Sequence, residues 1–188
     1  MNHTIRLFII AVVVLLFGSL AFAQTDIGFK GVGAKLGFVS IESGIGSTVA
    51  FGALADLGTI THDIHLGAFF DFWSKSYSAG TGYGYNADWT YSEFTFGGLA
   101  KYYFKLENSS FKPYAGAGLD LAIGKVKWNA GTVHGDFSSS KTDLGFDIFG
   151  GADYPFSPNV TGFAQVGYHI DGANYFGIFA GVVYSLGK

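Results

Sequence analysis

The chain has 188 residues, with 11 Lys and Arg set against 14 Asp and Glu and no cysteine. A formal charge of −3 without a basic tail or stripe excludes nucleic acid as an expected partner, and the missing thiols exclude a disulfide framework, a cysteine nucleophile and a cysteine-ligated metal. Charged residues reach only 13% while aromatics reach 18%, against a charged share of about 25% in ordinary soluble domains.

Arg6 precedes an unbroken apolar run from Leu7 to Phe17, and Ala21-Phe22-Ala23 gives a small-x-small pattern ahead of Gln24. That is the layout of a secretory signal peptide. Residues 1–23 are therefore expected to be cleaved, leaving 24–188 as a single exported domain. A retained helix is disfavoured, because Leu7 to Ala23 falls short of the roughly 20 residues that span a bilayer. Losing Arg6 takes the formal charge from −3 to −4.

Eight segments follow, at about 30–40, 48–58, 64–76, 90–105, 112–124, 141–154, 160–170 and 175–186, separated by Gly, Asn, Asp or Pro. Each alternates with a period of two, which sends successive side chains to opposite faces of a sheet. In the first, Val32, Ala34, Leu36 and Phe38 oppose Gly31, Gly33, Lys35 and Gly37. In the second, Val49, Phe51, Ala53, Ala55 and Leu57 oppose Ala50, Gly52, Leu54 and Asp56. The third sets Ile64, Leu66, Ala68, Phe70 and Phe72 against His65, Gly67, Phe69, Asp71, Trp73 and Lys75. The fourth sets Phe94, Phe96, Ala100, Tyr102 and Phe104 against Glu93, Thr95, Gly97, Lys101 and Tyr103. The same code runs through Leu119, Ile148, Val166 and Ile178 on one face, and Asp120, Asp147, Asp153 and His169 on the other.

No apolar run after residue 23 is long enough for a membrane helix, so a membrane protein of this composition must close its backbone hydrogen bonds as a barrel. The expected fold is all-β: an eight-stranded antiparallel up-and-down transmembrane β-barrel. Short connections at 59–63, 106–111 and 155–159 mark one end, and longer ones at 77–89 and 125–140 mark the other, where 41–47 and 171–174 are also short. Outer-membrane barrels pair tight periplasmic turns with longer outside loops, which puts both termini in the periplasm. The competing architecture is a soluble, lipocalin-like periplasmic binding barrel with an apolar interior. The polar face argues against it. Glycine and short acids make a poor solvent cover, whereas with Tyr103, Tyr114, Phe149, Phe163 and Phe179 they suit the narrow lumen of eight strands. Phe104, Phe111, Tyr154 and Phe156 near strand ends suit an interfacial aromatic girdle.

The stretch Lys112-Pro113-Tyr114-Ala115-Gly116-Ala117-Gly118-Leu119 resembles the Pro-Tyr-x-Gly-x-Gly strand of small outer-membrane barrels of the OmpA/OmpX-like superfamily. Phe179-x-Gly181-x-x-Tyr184-x-Leu186 resembles the terminal β-signal read by the outer-membrane assembly machinery, with Leu186 in place of the usual final Phe and Gly187-Lys188 after it. The resemblance implies a cell outer-membrane location, with membrane lipids and the assembly machinery as partners.

The inward polar set comprises Lys35, Asp56, His65, Asp71, Lys75, Glu93, Lys101, Asp120, Asp147, Asp153 and His169. Asp71, Asp120 and Asp147 are expected near mid-barrel, with Lys35 and Lys101 as the nearest counter-charges. A paired structural network is the favoured reading, since buried charge is costly unless partnered; a cation site or charge switch is the alternative. Gly31-Val32-Gly33 lies inside a strand and makes no phosphate loop. Tyr168 to Asn174 faintly resembles the strand end of lipid A deacylases, but Asp171 stands where a serine nucleophile is needed. An enzyme acting on outer-leaflet lipid through His169 and Asp171 is thus the minor alternative. The expectation is no enzyme, metal or cofactor, with His169 at the lumenal rim. Tyr77, Tyr83, Tyr85, Trp89 and Trp128 lie in or beside the two longer connections, as a recognition surface for a ligand or as girdle and loop-packing residues. The expected role is structural or surface-interacting, as a monomer. A porin is excluded, because diffusion channels need about sixteen strands.

Overall fold

The computed structural model describes residues 25–42, 44–81, 85–129 and 136–187. The expected signal peptide at 1–23 and the recognition candidate Tyr83 lie outside the described residues. The strands are β1 (Asp26–Ile41), β2 (Gly46–Thr61), β3 (Ile64–Thr81), β4 (Tyr85–Tyr103), β5 (Lys112–Asn129), β6 (Asp136–Ser157), β7 (Val160–Ile170) and β8 (Tyr175–Ser185). Sequential neighbours pair antiparallel, and β1 closes onto β8 from Gly31↔Ser185 to Ile41↔Tyr175. Closure leaves no edge strand to template pairing with another chain.

The alternation resolves into an apolar outside and a polar inside. Leu144 is 74% exposed and Phe38 68%, with Leu36, Phe51, Ile148 and Ile178 on the same outer wall. That finding overturns the lipocalin-like alternative, which needs these side chains within. At the end with the short turns, Tyr102 and Phe104 pack edge-on at 5.2 Å, and Tyr154 contacts Phe111 at 5.0 Å and Phe156 at 5.5 Å. Leu144 and Tyr154 lie ten residues apart on β6. At about 3.4 Å per residue and about 40° of tilt, that is roughly 26 Å of wall height, close to the apolar band of an outer-membrane barrel.

At the turn end, His62 and Asp63 alone connect β2 to β3, and Pro158 and Asn159 connect β6 to β7. The opposite end departs from the sequence reading. The connections expected at 77–89 and 125–140 are mostly strand: β3 runs to Thr81, β4 starts at Tyr85, β5 runs to Asn129 and β6 starts at Asp136. Their Gly-, Ser-, Asn- and Tyr-rich composition reads as loop, yet the ladders run on through them, from Tyr77↔Trp89 to Thr81↔Tyr85 and from Lys125↔Ser140 to Asn129↔Asp136. At the base of the first, Ser74 bonds to Ser92 at 3.1 Å and Ser76 to Thr90 at 2.9 Å. These two hairpins pair with each other and form a four-stranded shelf rising beyond the other strands.

Candidate functional site

The shelf reverses the polarity of the wall beneath it. The outward row Phe72–Phe94–Ile123 is followed, two residues further out, by Ser74–Ser92–Lys125–Ser140 and then by Ser76–Thr90–Lys127–Ser138. Apolar side chains move to the inward side, in the row Tyr77–Trp89–Trp128–Phe137 above the row Lys75–Tyr91–Val126–Ser139. Water wets both faces of a sheet beyond the lipid, so the outer face no longer has to be apolar. Trp89 is 52% exposed, Trp128 49% and Phe137 65%, and Tyr77 meets Trp89 edge-on at 6.1 Å. Trp89 and Trp128 are therefore not girdle residues, because they lie on the lumenal side of the sheet. Tyr85 opens β4.

Below the shelf, the polar set separates into two clusters instead of one network. The upper cluster sits under an aromatic plug. Tyr175 stacks on the His169 ring at 4.7 Å, Trp73 meets Tyr175 edge-on at 6.2 Å, and Trp73 stacks on Tyr91 at 5.3 Å. Trp73 Nε1 donates to Glu93 Oε1 at 3.0 Å. His169 Nδ1 lies 2.9 Å from Asp147 Oδ1 and 3.6 Å from Asp120 Oδ2, and Nε2 lies 3.4 Å from Asp171 Oδ2. One imidazole is thus ringed by Asp120, Asp147 and Asp171, with Glu93 close by. Burial works to raise the Asp171 carboxyl, yet the neighbouring His169 imidazole and a hydrogen bond from the Ala173 amide hold it below the ordinary value.

Lys35 Nζ pairs with Asp71 Oδ2 at 2.7 Å, with both side chains buried, and lies 4.5 Å from the Phe179 ring centroid. Gly52 makes room for this pair: a Cβ there would overlap Asp71 Oδ1 and crowd the Lys35 chain. Gly145 does the same for Asp120.

The lower cluster surrounds a vestibule of about 520 Å³ at the turn end, lined among others by Asp56, His65, Lys101, Tyr103, Lys112 and Asp153. Tyr103 donates its hydroxyl to Asp153, and His65 meets Tyr103 edge-on at 4.7 Å. Asp56 Oδ1 accepts the Gly58 amide at 2.9 Å, where Gly58 takes a φ of 87° at a slip in the β2–β3 register. A glycine relieves the strain of that conformation.

Three expectations are corrected. Lys101 is no counter-charge to Asp120 or Asp147; its ammonium lies 4.2 Å from the Tyr114 ring centroid and 5.4 Å from that of Phe163. Lys75 donates to the Ser47 carbonyl at 2.8 Å, above the network it was grouped with. His169 is 1% exposed, buried under Tyr175 rather than at the rim. The terminal motif splits between faces, with Phe179 buried in the lumen while Tyr184 and Leu186 are exposed; Gly181 faces Phe163.

The sequence reading missed Asp171 as a network member, because it lies beyond the end of β7. Its parity matches that of His169, and one further step of the period-two count would have found it.

Residues 9–185 match the family described as the outer membrane protein beta-barrel domain. Among solved structures, neisserial surface protein A is 23% identical with a TM-score of 0.62, the match covering 83% of this chain and 96% of that one. A major outer membrane protein from Thermus thermophilus is 10% identical with a TM-score of 0.54, covering 82% and 99%. The N-terminal β-barrel domain of Pseudomonas aeruginosa OprF is 16% identical with a TM-score of 0.51, covering 85% and 99%. Identities this low carry the fold and nothing finer. No curated protein matches the sequence. With that family match over nearly its whole length, and a closed eight-stranded wall that is apolar without and polar within, the chain belongs to the outer membrane protein β-barrel domain family and resides in the outer membrane.

Proposed function

We propose that this barrel is a surface-interaction protein that anchors an aromatic recognition shelf in the outer membrane, with its termini in the periplasm and its β3–β6 hairpins outside the cell. The observation that carries this reading is the polarity reversal at the shelf. Trp89, Trp128 and Phe137 stay about half exposed or more in one inward row with the half-buried Tyr77, while the outer face carries Ser, Thr and Lys. Large, stiff rings beside hydroxyls are the usual material of adaptable binding surfaces. A pore role is disfavoured, because Trp73, Tyr175 and Phe179 fill the lumen beneath the shelf. An enzyme acting on outer-leaflet lipid is disfavoured too, because His169 is sealed under Tyr175, away from the lipid face.

The test uses the barrel embedded in lipid nanodiscs, captured on immobilised glycans and extracellular proteins. Saturable binding to a member of that set, lost in a Trp89→Ala/Trp128→Ala variant with native heat-modifiable mobility, supports the proposal. Binding that survives the double substitution removes the shelf from the role.

A further inference from the structure

We propose that the sealed lumen holds a divalent first-row transition-metal ion between Asp120, Asp147 and Nδ1 of His169. Asp120 is 3% exposed, and neither of its carboxylate oxygens has a hydrogen-bond partner; Oδ2 of Asp147 is also buried without one. An uncompensated buried carboxylate costs several kcal/mol, so the group either takes up a proton or meets a compensating cation. The lysines of the chain do not supply that cation. Asp120 is flanked across its two ladders by Gly97 and Gly145, which offer no side chain. Lys35 is committed to Asp71 at 2.7 Å, and Lys141 pairs with Asp143 at 2.8 Å while remaining largely exposed. The imidazole of His169 is shared among Asp120, Asp147 and Asp171.

The geometry fits a bound cation. Oxygens of Asp120 and Asp147 and a nitrogen of His169 all lie within 4.8 Å of one another. Nδ1 is 2.9 Å from Asp147 Oδ1 and 3.6 Å from Asp120 Oδ2, spacings that bracket the roughly 3.3 Å edge of a tetrahedron with bonds of about 2.0 Å. One imidazole nitrogen with two carboxylates is a borderline donor set, suited to zinc, cobalt or manganese. A cavity of about 30 Å³ touches Asp147 and His169, room for one water as a fourth ligand. On the other face of the ring, Nε2 lies 3.4 Å from Asp171 Oδ2 without a hydrogen bond, and Asp171 accepts the Ala173 amide. A ligating histidine commonly gives its second N–H to a carboxylate that is itself held in place. Glu93, on that second face, accepts from Trp73 at 3.0 Å, whereas the unpartnered oxygens of Asp120 and Asp147 gather on the Nδ1 side. Binding displaces only a proton, from Nδ1 or a carboxyl, into solvent.

The competing arrangement has no ion, with protons shared among the carboxyls. Full-length protein is extracted from outer membranes in mild detergent, stripped with a chelator and titrated with Co²⁺. One Co²⁺ per barrel, with the intense visible absorption of a tetrahedral centre that bleaches when Zn²⁺ is added, is the expected result. Asp120→Asn and Asp147→Asn should each weaken binding more than tenfold. Asp171→Asn should weaken it by about ten- to a hundredfold, through ring positioning. Asp153→Asn, in the other cluster, should leave it unchanged. No saturable Co²⁺ uptake by the wild type overturns the proposal even if the variants fail to fold, as does uptake that persists undiminished in Asp120→Asn and Asp147→Asn.

Discussion

Trp89 and Trp128 stand directly opposite each other across the β4–β5 ladder, on the lumenal side of the sheet, and each keeps about half its surface exposed. Cross-strand aromatic pairs contribute about 0.5–1.5 kcal/mol beyond area burial when packed. Rings left this open gain less from folding. Replacing both with alanine should therefore lower the unfolding free energy in urea by no more than about 1 kcal/mol, while ligand capture by the nanodisc-embedded barrel falls at least tenfold. An equal loss of stability and binding would instead mark the pair as part of the fold.

The chain has three tryptophans, and Trp73 is the buried one, 1% exposed under the plug. Acrylamide should quench much of the native emission through Trp89 and Trp128. In a Trp89→Phe/Trp128→Phe variant the remaining emission should be blue-shifted and nearly immune to quencher until the barrel is unfolded. Free quenching of Trp73 in that variant would mean that the plug is open to water.

The limit of the lipid is set by where the outward face changes character, between the Phe72–Phe94–Ile123 row and the Ser74–Ser92–Lys125 row. Arginine introduced at Ile148, within the belt, should cost about 2–4 kcal/mol, whereas at Ser140, beyond it, the cost should be about 0–1 kcal/mol. Urea titration in lipid vesicles measures both. Similar costs at the two sites would place the boundary elsewhere.

The barrel was legible in the sequence because its wall obeys one rule for its whole height: Leu36, Phe51, Ile148 and Ile178 all have the parity that puts them in lipid. The shelf was not, because the rule reverses there. Lys127 and Ser138 sit where Ile123 and Leu144 lead the reader to expect apolar residues, so the alternation fades and the composition imitates a loop. Membership of the lumenal set was readable from parity, since Lys35, Asp71, Asp120 and His169 are all inward. Partnership was not readable. Lys35 meets Asp71 at a separation of 36 residues, and Lys101 meets the rings of Tyr114 and Phe163 rather than an acid. Such choices depend on the stagger between strands, which period-two counting leaves free.

A lumen filled by Trp73, Tyr175, Phe179 and the Lys35–Asp71 pair should pass no stable large current in planar bilayers. Trp73→Ala/Tyr175→Ala opens the plug at its widest residues, and small cation-preferring steps should then appear, because Glu93, Asp120 and Asp147 line what remains. Large steps from the unmodified protein would contradict the sealed lumen.

The Lys35–Asp71 pair provides the sharpest test of the interior. Both side chains are buried, and Asp71 already leaves Oδ1 without a partner. Lys35→Met would strand the carboxylate and should destabilise the barrel by about 3–5 kcal/mol. Asp71→Asn should cost less, because a neutral amide can still accept from the ammonium and the lysine keeps its contact with the Phe179 ring. In the double variant Lys35→Met/Asp71→Leu no charge is left to strand, and a buried pair of this kind contributes little net stability over well-packed apolar groups. Gly52 limits that packing, since there is no spare volume beside Asp71. Most of the single-variant loss should nevertheless be recovered, giving a coupling of at least about 2 kcal/mol in a double-mutant cycle followed by urea unfolding. Additive losses would mean that the two side chains are held apart in the membrane-embedded barrel.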